Sequence, residues 1–181
     1  MMHPTTLIIG GCRSGKSGYA LKLGEAAGGP RNFFIATCVP QDDEMRARVT
    51  RHQQERGPLW QTLEAPLEIA EIIVRHQSEA NAIVIDCLTF WITNLMLAES
   101  NDQVLMEKIK NLSMTVRQAT CSIIMVSNEV GTGIVPENPL ARRFRDLVGW
   151  ANQHLAAACA RVVWMVAGIP VTIKPQSVGR F

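Results

Sequence analysis

The chain has 181 residues, with 18 Lys+Arg against 16 Asp+Glu (net charge +2) and 47% hydrophobic residues. This balance excludes a strongly basic nucleic-acid arm, an acidic solvating tail and general disorder, and the length fits one domain, residues 1–181, with a substantial core. The five cysteines (Cys12, Cys38, Cys87, Cys121, Cys159) are odd in number, widely spaced and form no C-x-x-C or Cys/His cluster. Buried free thiols in a reducing cytoplasm are therefore expected, rather than disulfides or structural zinc.

In chain order, Thr5–Ile9 reads as an apolar strand, followed by a glycine-rich turn and a helix from Lys16 to about Ala27. Arg31–Thr37 is a second strand, and Asp42-Asp43 opens a helix to about Arg56, acidic where the helix dipole prefers it. Pro66 suits a first helical position, with Leu67, Ile69, Ala70, Ile73 and Val74 on one face. Ala82–Asp86 is a third strand, followed by helices near Leu88–Ala98 and Asp102–Gln118. Ser122–Val126 is a fourth strand, Asn138–Ala160 a long helix, Val162–Val166 a fifth strand and Val171–Ile173 a short edge strand. The N-terminus lacks the basic region and apolar run of a signal peptide, and the apolar stretch Leu155–Ile173 is broken by Arg161 and Gly168-Ile169-Pro170. A cytoplasmic protein without a membrane span is expected.

Strands that are apolar throughout and separated by helices predict a mostly parallel sheet with helices on both faces, an α/β sandwich. Ligands of such sheets bind beyond the carboxyl ends of the strands, here just after Ile9, Thr37, Ile85 and Val126. The first of these places holds Gly10-Gly11-Cys12-Arg13-Ser14-Gly15-Lys16-Ser17, a match to G-x-x-x-x-G-K-[ST] between a strand and a helix. Backbone N–H groups there turn inward around phosphate oxygens, and the helix N-terminus adds its dipole. Lys16 would reach the outer phosphates and Ser17 would give its hydroxyl to Mg²⁺. The expected fold class is a P-loop NTPase, with a mostly parallel sheet and helices on both faces, of RecA-like form. Asp86, ending an apolar strand, is the second Mg²⁺ partner, against the alternative of a helix-capping Asp. No N-K-x-D motif follows the fourth strand, since Ser127-Asn128-Glu129-Val130 lacks both the Lys and the Asp. That argues against a regulatory GTPase.

On the helix 42–56, Met45, Arg48, Val49, His52 and Arg56 share one face by i, i+3, i+4 spacing. Arginines on either side favour a neutral imidazole and attract a phosphate chain, so His52 is a candidate nucleophile, or else a solvated surface group. Arg13, Arg142, Arg143 and Arg145 are candidate charge clamps, the last three equally a solvated helix face paired with Asp146.

Several blocks, in order along the chain, resemble one family. They are Gly10–Ser17, Ile35-Ala36-Thr37, Asp42-Asp43-Glu44-Met45 with Arg48 and His52, and Trp60–Glu64. Then follow Asp86-Cys87-Leu88-Thr89, Thr93-Asn94-Leu95, Asn128–Pro136, Leu140-Ala141-Arg142, Phe144-Arg145-Asp146 and Asn152-Gln153. The family is that of the bifunctional adenosylcobinamide kinase/adenosylcobinamide-phosphate guanylyltransferases of cobalamin biosynthesis. The resemblance implies that ATP or GTP phosphorylates the aminopropanol hydroxyl of adenosylcobinamide. GTP then donates GMP to that phosphate through a guanylylated histidine, releasing pyrophosphate and giving adenosylcobinamide-GDP. The matching histidine is His52, in an Arg51-His52 pair where many members carry two histidines. Nucleotide contacts implied by the resemblance fall on Gly10, Gly11, Cys12, Arg13, Ser14, Gly15, Lys16 and Ser17, on Ala36, Thr37 and Cys38, on Gln53, Gln54, Glu55 and Arg56, and on Glu64 and Asp86. Catalytic roles fall on Lys16 and His52. A homotrimer is also implied, with no nucleic-acid partner.

Two other readings are open to the residues themselves: a single-activity small-molecule P-loop kinase, and a nucleotide-switched binding module using Asn128–Pro136. With one phosphate loop in 181 residues, both reactions of the bifunctional reading are expected to share it.

Overall fold

A computed structural model describes residues 4–40 and 42–174 of the chain; the side chains of Glu44, Met45, Arg48, Arg51, His52, Gln54 and Glu55 lie outside the description. Its strands are β1 (Thr5–Gly10), β2 (Asn32–Ala36), β3 (Trp60–Glu64), β4 (Ala82–Asp86), β5 (Ser122–Asn128), β6 (Arg161–Val166) and β7 (Ile169–Lys174). The helices are α1 (Lys16–Ala26), α2 (Asp43–Arg56), α3 (Ile69–His76), α4 (Leu88–Ala98), α5 (Asp102–Arg117) and α6 (Pro139–Ala158). The strands form one sheet in the order β3-β2-β4-β5-β1-β6-β7, parallel except for β7.

Side chains alternate between the two faces of each strand, and each face has its own core. One face buries Leu7, Ile35, Ile83, Ile85, Ile123 and Met125 against apolar stripes of α3, α4, α5 and α6. The other buries Ile8, Phe34, Val84, Ile124, Val126 and Val163 with Ala20 of α1. Gly24 of α1 lies so close to the sheet that a Cβ would stand 2.4 Å from the Trp60 ring. The central strands are buried along their length, which is why they read as continuous apolar runs.

Three expectations are corrected. The strand Trp60–Glu64 is an addition: it pairs only with β2 at the sheet edge, and its mostly exposed residues leave no apolar run to read. The helix after Pro66 begins at Ile69 rather than at the proline, and Val74 is exposed while Ile69, Ala70 and Ile73 are buried. Pro66 instead belongs to the turn, where its carbonyl accepts a hydrogen bond from Asn94. Among the thiols, Cys87, Cys121 and Cys159 are buried, but Cys38 is half-buried and Cys12 is exposed because the glycine-rich loop projects beyond the sheet.

Candidate active site

The turn from β1 into α1 curls the backbone into a ring. Arg13 (φ 54) and Gly15 (φ 92) adopt left-handed conformations that turn successive N–H groups to one side, and no side chain caps α1. Lys16 is buried, with Nζ within bonding distance of Gly11 O (2.5 Å) and Ser14 Oγ (3.3 Å), so its charge sits inside the ring. The ring is fixed on both flanks. A Cβ on Gly10 would lie 2.5 Å from Met165 O, and the N–H of Gly168, in the β6–β7 turn, donates to Ser14 O at 3.1 Å. On the other side, the Glu129 N–H donates to Gly10 O at 3.1 Å.

Across the neighbouring strands, Glu64 is in register with Ala36, Ala36 with Asp86 and Asp86 with Val126. Registered residues share a face, and Val126 belongs to the core on the α1 side. Asp86 and Glu64 therefore lie on the face where α1 begins. Arg56, the last residue of α2, is buried on that same face. Its guanidinium lies 3.8 Å above the Phe34 ring and donates to Thr62 Oγ1 at 3.0 Å. Burial pulls the Arg56 pKa below the usual arginine range, and the nearby charge of Asp86 opposes the shift.

A polar buckle holds these strand ends together. Thr37 is fully buried; its hydroxyl donates to Cys87 O (2.7 Å) and accepts from the Cys87 N–H (2.9 Å), fixing the backbone directly after Asp86. The Asp86–Cys87 peptide is cis. The Asn94 amide reaches down from α4 to Thr37 O (2.8 Å) and Pro66 O (3.0 Å), and the Ala65 N–H donates to Ala36 O. Beneath it, Thr89 Oγ1 joins Cys87 Sγ (2.8 Å) to Asn128 Nδ2 (3.0 Å). Sequence reasoning gave these asparagines no role. A polar amide within an apolar helix such as α4 signals a buried partner, but not which one.

The structure thus gathers Gly10 to Ser17, Ala36, Asp86, Glu64 and Arg56 at one end of the sheet. It spends the Thr37 hydroxyl on Cys87 rather than leaving it open to a ligand. Cys38 is half-buried just past the Thr37 buckle, and Gln53 is exposed on α2. The assignments to His52, Gln54 and Glu55 fall on side chains outside the described residues. Arg143 bonds Asp102 and Ser100 O, not Asp146, while Arg142 and Arg145 donate to carbonyls of the β5–α6 connection. Ser17 and Asp86 offer a hydroxyl and a carboxylate, hard oxygen donors that fit Mg²⁺ when phosphate and water complete its shell. Among the described residues there is no cluster of three or more His, Cys, Asp or Glu that could hold a metal alone.

A glycine-rich ring after the first strand, a buried lysine inside it and an acid closing another strand on the same face define a P-loop nucleotide enzyme of RecA-like fold. Two solved structures share that architecture. One is the ATPase domain of G40P, with TM-score 0.58 and 11% identity, covering 96% of this chain and 78% of that one. The other is the RadB recombinase, with TM-score 0.50 and 15% identity, covering 89% and 73%. Residues 6–173 match the family described as cobinamide kinase / cobinamide phosphate guanyltransferase, and the chain belongs to it. The bifunctional adenosylcobalamin biosynthesis protein CobU of Salmonella typhimurium is 40% identical across 93% of this chain and 98% of its own length. The corresponding protein CobP of Pseudomonas aeruginosa is 39% identical across 94% and 97%.

Proposed function

We propose that this enzyme phosphorylates the aminopropanol hydroxyl of adenosylcobinamide with ATP or GTP. It then transfers GMP from GTP to the product through guanylylated His52, giving adenosylcobinamide-GDP and pyrophosphate. The observation that carries the reading is the anchoring of Arg56 over Phe34 beside Asp86. His52 precedes Arg56 by four residues, about 6 Å along the helix, and that anchor supports a role for His52 on the phosphate-loop face.

In the first step the acceptor oxygen attacks the γ-phosphorus and the nucleoside diphosphate leaves. Lys16 and the loop N–H groups neutralise and orient the phosphates, and this asks little covalent chemistry of the protein. In the second, a ring nitrogen of His52 attacks the α-phosphorus of GTP and pyrophosphate leaves. The acceptor phosphate oxygen then attacks the same phosphorus, the P–N bond breaks and His52 is restored. Ser17 and Asp86 would hold Mg²⁺, which would supply positive charge to offset that of the phosphates.

One domain spanning residues 1–181 is proposed to carry both steps in the cytoplasm; no helix among the described residues is long and apolar enough to cross a membrane. A homotrimer fits the apolar face of the β6–β7 hairpin. There Trp164 is paired with Val171 and Val166 with Ile169, and all four are at least 43% exposed.

Incubation with labelled GTP and Mg²⁺ should leave GMP on the protein in an acid-labile, alkali-stable bond mapped to His52 by mass spectrometry. The substitution His52→Asn should abolish the label and leave phosphorylation of adenosylcobinamide largely intact. Labelling of that variant at the normal level would sink the assignment.

A further inference from the structure

The connection from β5 to α6 leaves the sheet beside the phosphate loop, where the Glu129 N–H bonds Gly10 O. It has no regular secondary structure, yet it is held at both ends. The Glu129 carboxylate accepts from the Gly131 N–H (2.6 Å), and a Cβ at position 131 would stand 2.8 Å from that oxygen, so a larger residue there would push the carboxylate aside. Arg145, reaching out from α6, donates to Gly131 O. Arg142 donates to Pro136 O (3.0 Å) and Glu137 O (2.6 Å). Between these ties Ile134 is 96% exposed and Val135 62% exposed, with Leu140 at 60% on the first turn of α6. Two guanidinium groups therefore hold a short loop so that its apolar side chains stand in water, an arrangement that is unfavourable until something covers them.

The cover has to be apolar and has to come to the phosphate loop. The nucleotide does not qualify at its phosphates, which are met by backbone N–H groups and Lys16. The acceptor does: its hydroxyl must reach the γ-phosphorus, and in this family it is a corrinoid, a broad ring whose rim carries methyl groups between its amide arms. We infer that residues 131–136, with Ile134 and Val135 as the contact surface, form a shelf on which the corrinoid acceptor rests, braced by Arg142 and Arg145. The inference rests on the proposed kinase reading and names the acceptor surface of that same site.

The test uses the full-length protein with Ile134→Asp, and Ile134→Leu as a conservative control. Ile134 is almost wholly exposed, so neither change disturbs the core. The kinase step is measured with saturating ATP and varied cobinamide. Self-labelling with GTP, which needs no acceptor, and the mass in solution are measured alongside. For Ile134→Asp the acceptor KM should rise about 10-fold or more, the factor removed with one well-covered aliphatic contact. The KM for ATP, self-labelling and mass should be unchanged, and Ile134→Leu should behave as the parent. An unchanged acceptor KM overturns the shelf. So does a change of mass, which would assign the loop to contact between copies of the chain. Absent self-labelling with a raised acceptor KM supports the shelf and sinks only the guanylyl step. If the parent protein does not phosphorylate cobinamide, both the kinase reading and the shelf fall.

Discussion

The phosphate loop and helix α2 lie on the same face of the sheet, and the contacts described for them differ. The loop is fixed by its neighbours on both flanks: Met165 O and Gly168 crowd it from the β6–β7 side and Glu129 bonds it from the β5 side. Of the described side chains on α2, Val49 is half-buried, Arg56 is buried and the others are exposed. Among these described side chains the closest tie to the sheet is in the last turn, where one guanidinium stacks on Phe34 and bonds Thr62. The contrast suits the two reactions. Phosphoryl transfer depends on positioned charge and gains from a rigid cradle. In the proposed guanylyl step, a nucleophile on α2 would have to approach the α-phosphorus and then present it to a second substrate, a task suited to a helix anchored in its last turn.

The most severe way to test this division is Lys16→Ala. The kinase rate should fall roughly 10²- to 10³-fold, the usual scale for removing one preorganised charge-stabilising group. If one loop serves both steps, self-guanylylation with GTP should fall by a similar factor, measured as label incorporated per minute. Normal guanylylation in this variant would break the comparison by placing the second reaction on another nucleotide site.

Arg56→Ala probes the anchor described for α2. It removes a stacked cation and a buried hydrogen bond, together worth about 1–2 kcal/mol, or roughly 10-fold in a rate that depends on where α2 sits. Guanylylation should fall by about that factor, while the KM for ATP in the kinase step should move less than about two-fold. Arg56→Lys should not restore it, since an ammonium lacks the planar face that stacks on Phe34. An equal loss in both steps would mean that Arg56 acts on the nucleotide directly rather than through the helix.

The difference between the regions also governs what could be read from the chain. The strand–loop–helix unit 5–26 was legible because a continuous apolar run, a glycine-rich motif and a helical pattern all agree there. Asp86 was legible for the same reason, as an acid closing an apolar strand. The strand Trp60–Glu64 was not, because an edge strand covered on one side only carries no apolar run. The tasks of Thr37, Asn94, Arg142 and Arg145 were not either: all four bond backbone carbonyls, which exist at every residue and leave no mark in a sequence. His52 stood out only against a family pattern, since on spacing alone a histidine among arginines is most simply a solvated one.

The smallest effect separates the frame from α2 by pH. The frame carries three buried thiols whose pKa values burial raises from 9.0: Cys87 and Cys121 to about 11, and Cys159 to about 12. For Cys87 the negative charge of Asp86 adds to the rise. A folded-state pKa above the unfolded value means that the unfolded chain releases protons first as pH increases. The stability these thiols contribute is therefore fully present below about pH 9 and is lost between there and pH 11–12. At pH 10 the loss is about 1 kcal/mol for each thiol. Urea unfolding followed by tryptophan fluorescence should show a lower midpoint at pH 10 than at pH 7.5, and the Cys159→Ala protein should show a smaller drop between the two. No residue of α2 is a thiol, so circular dichroism on a synthetic 42–56 peptide with both termini blocked should not change between these pH values. Equal drops for parent and variant would show that alkali acts on the frame through groups other than its thiols.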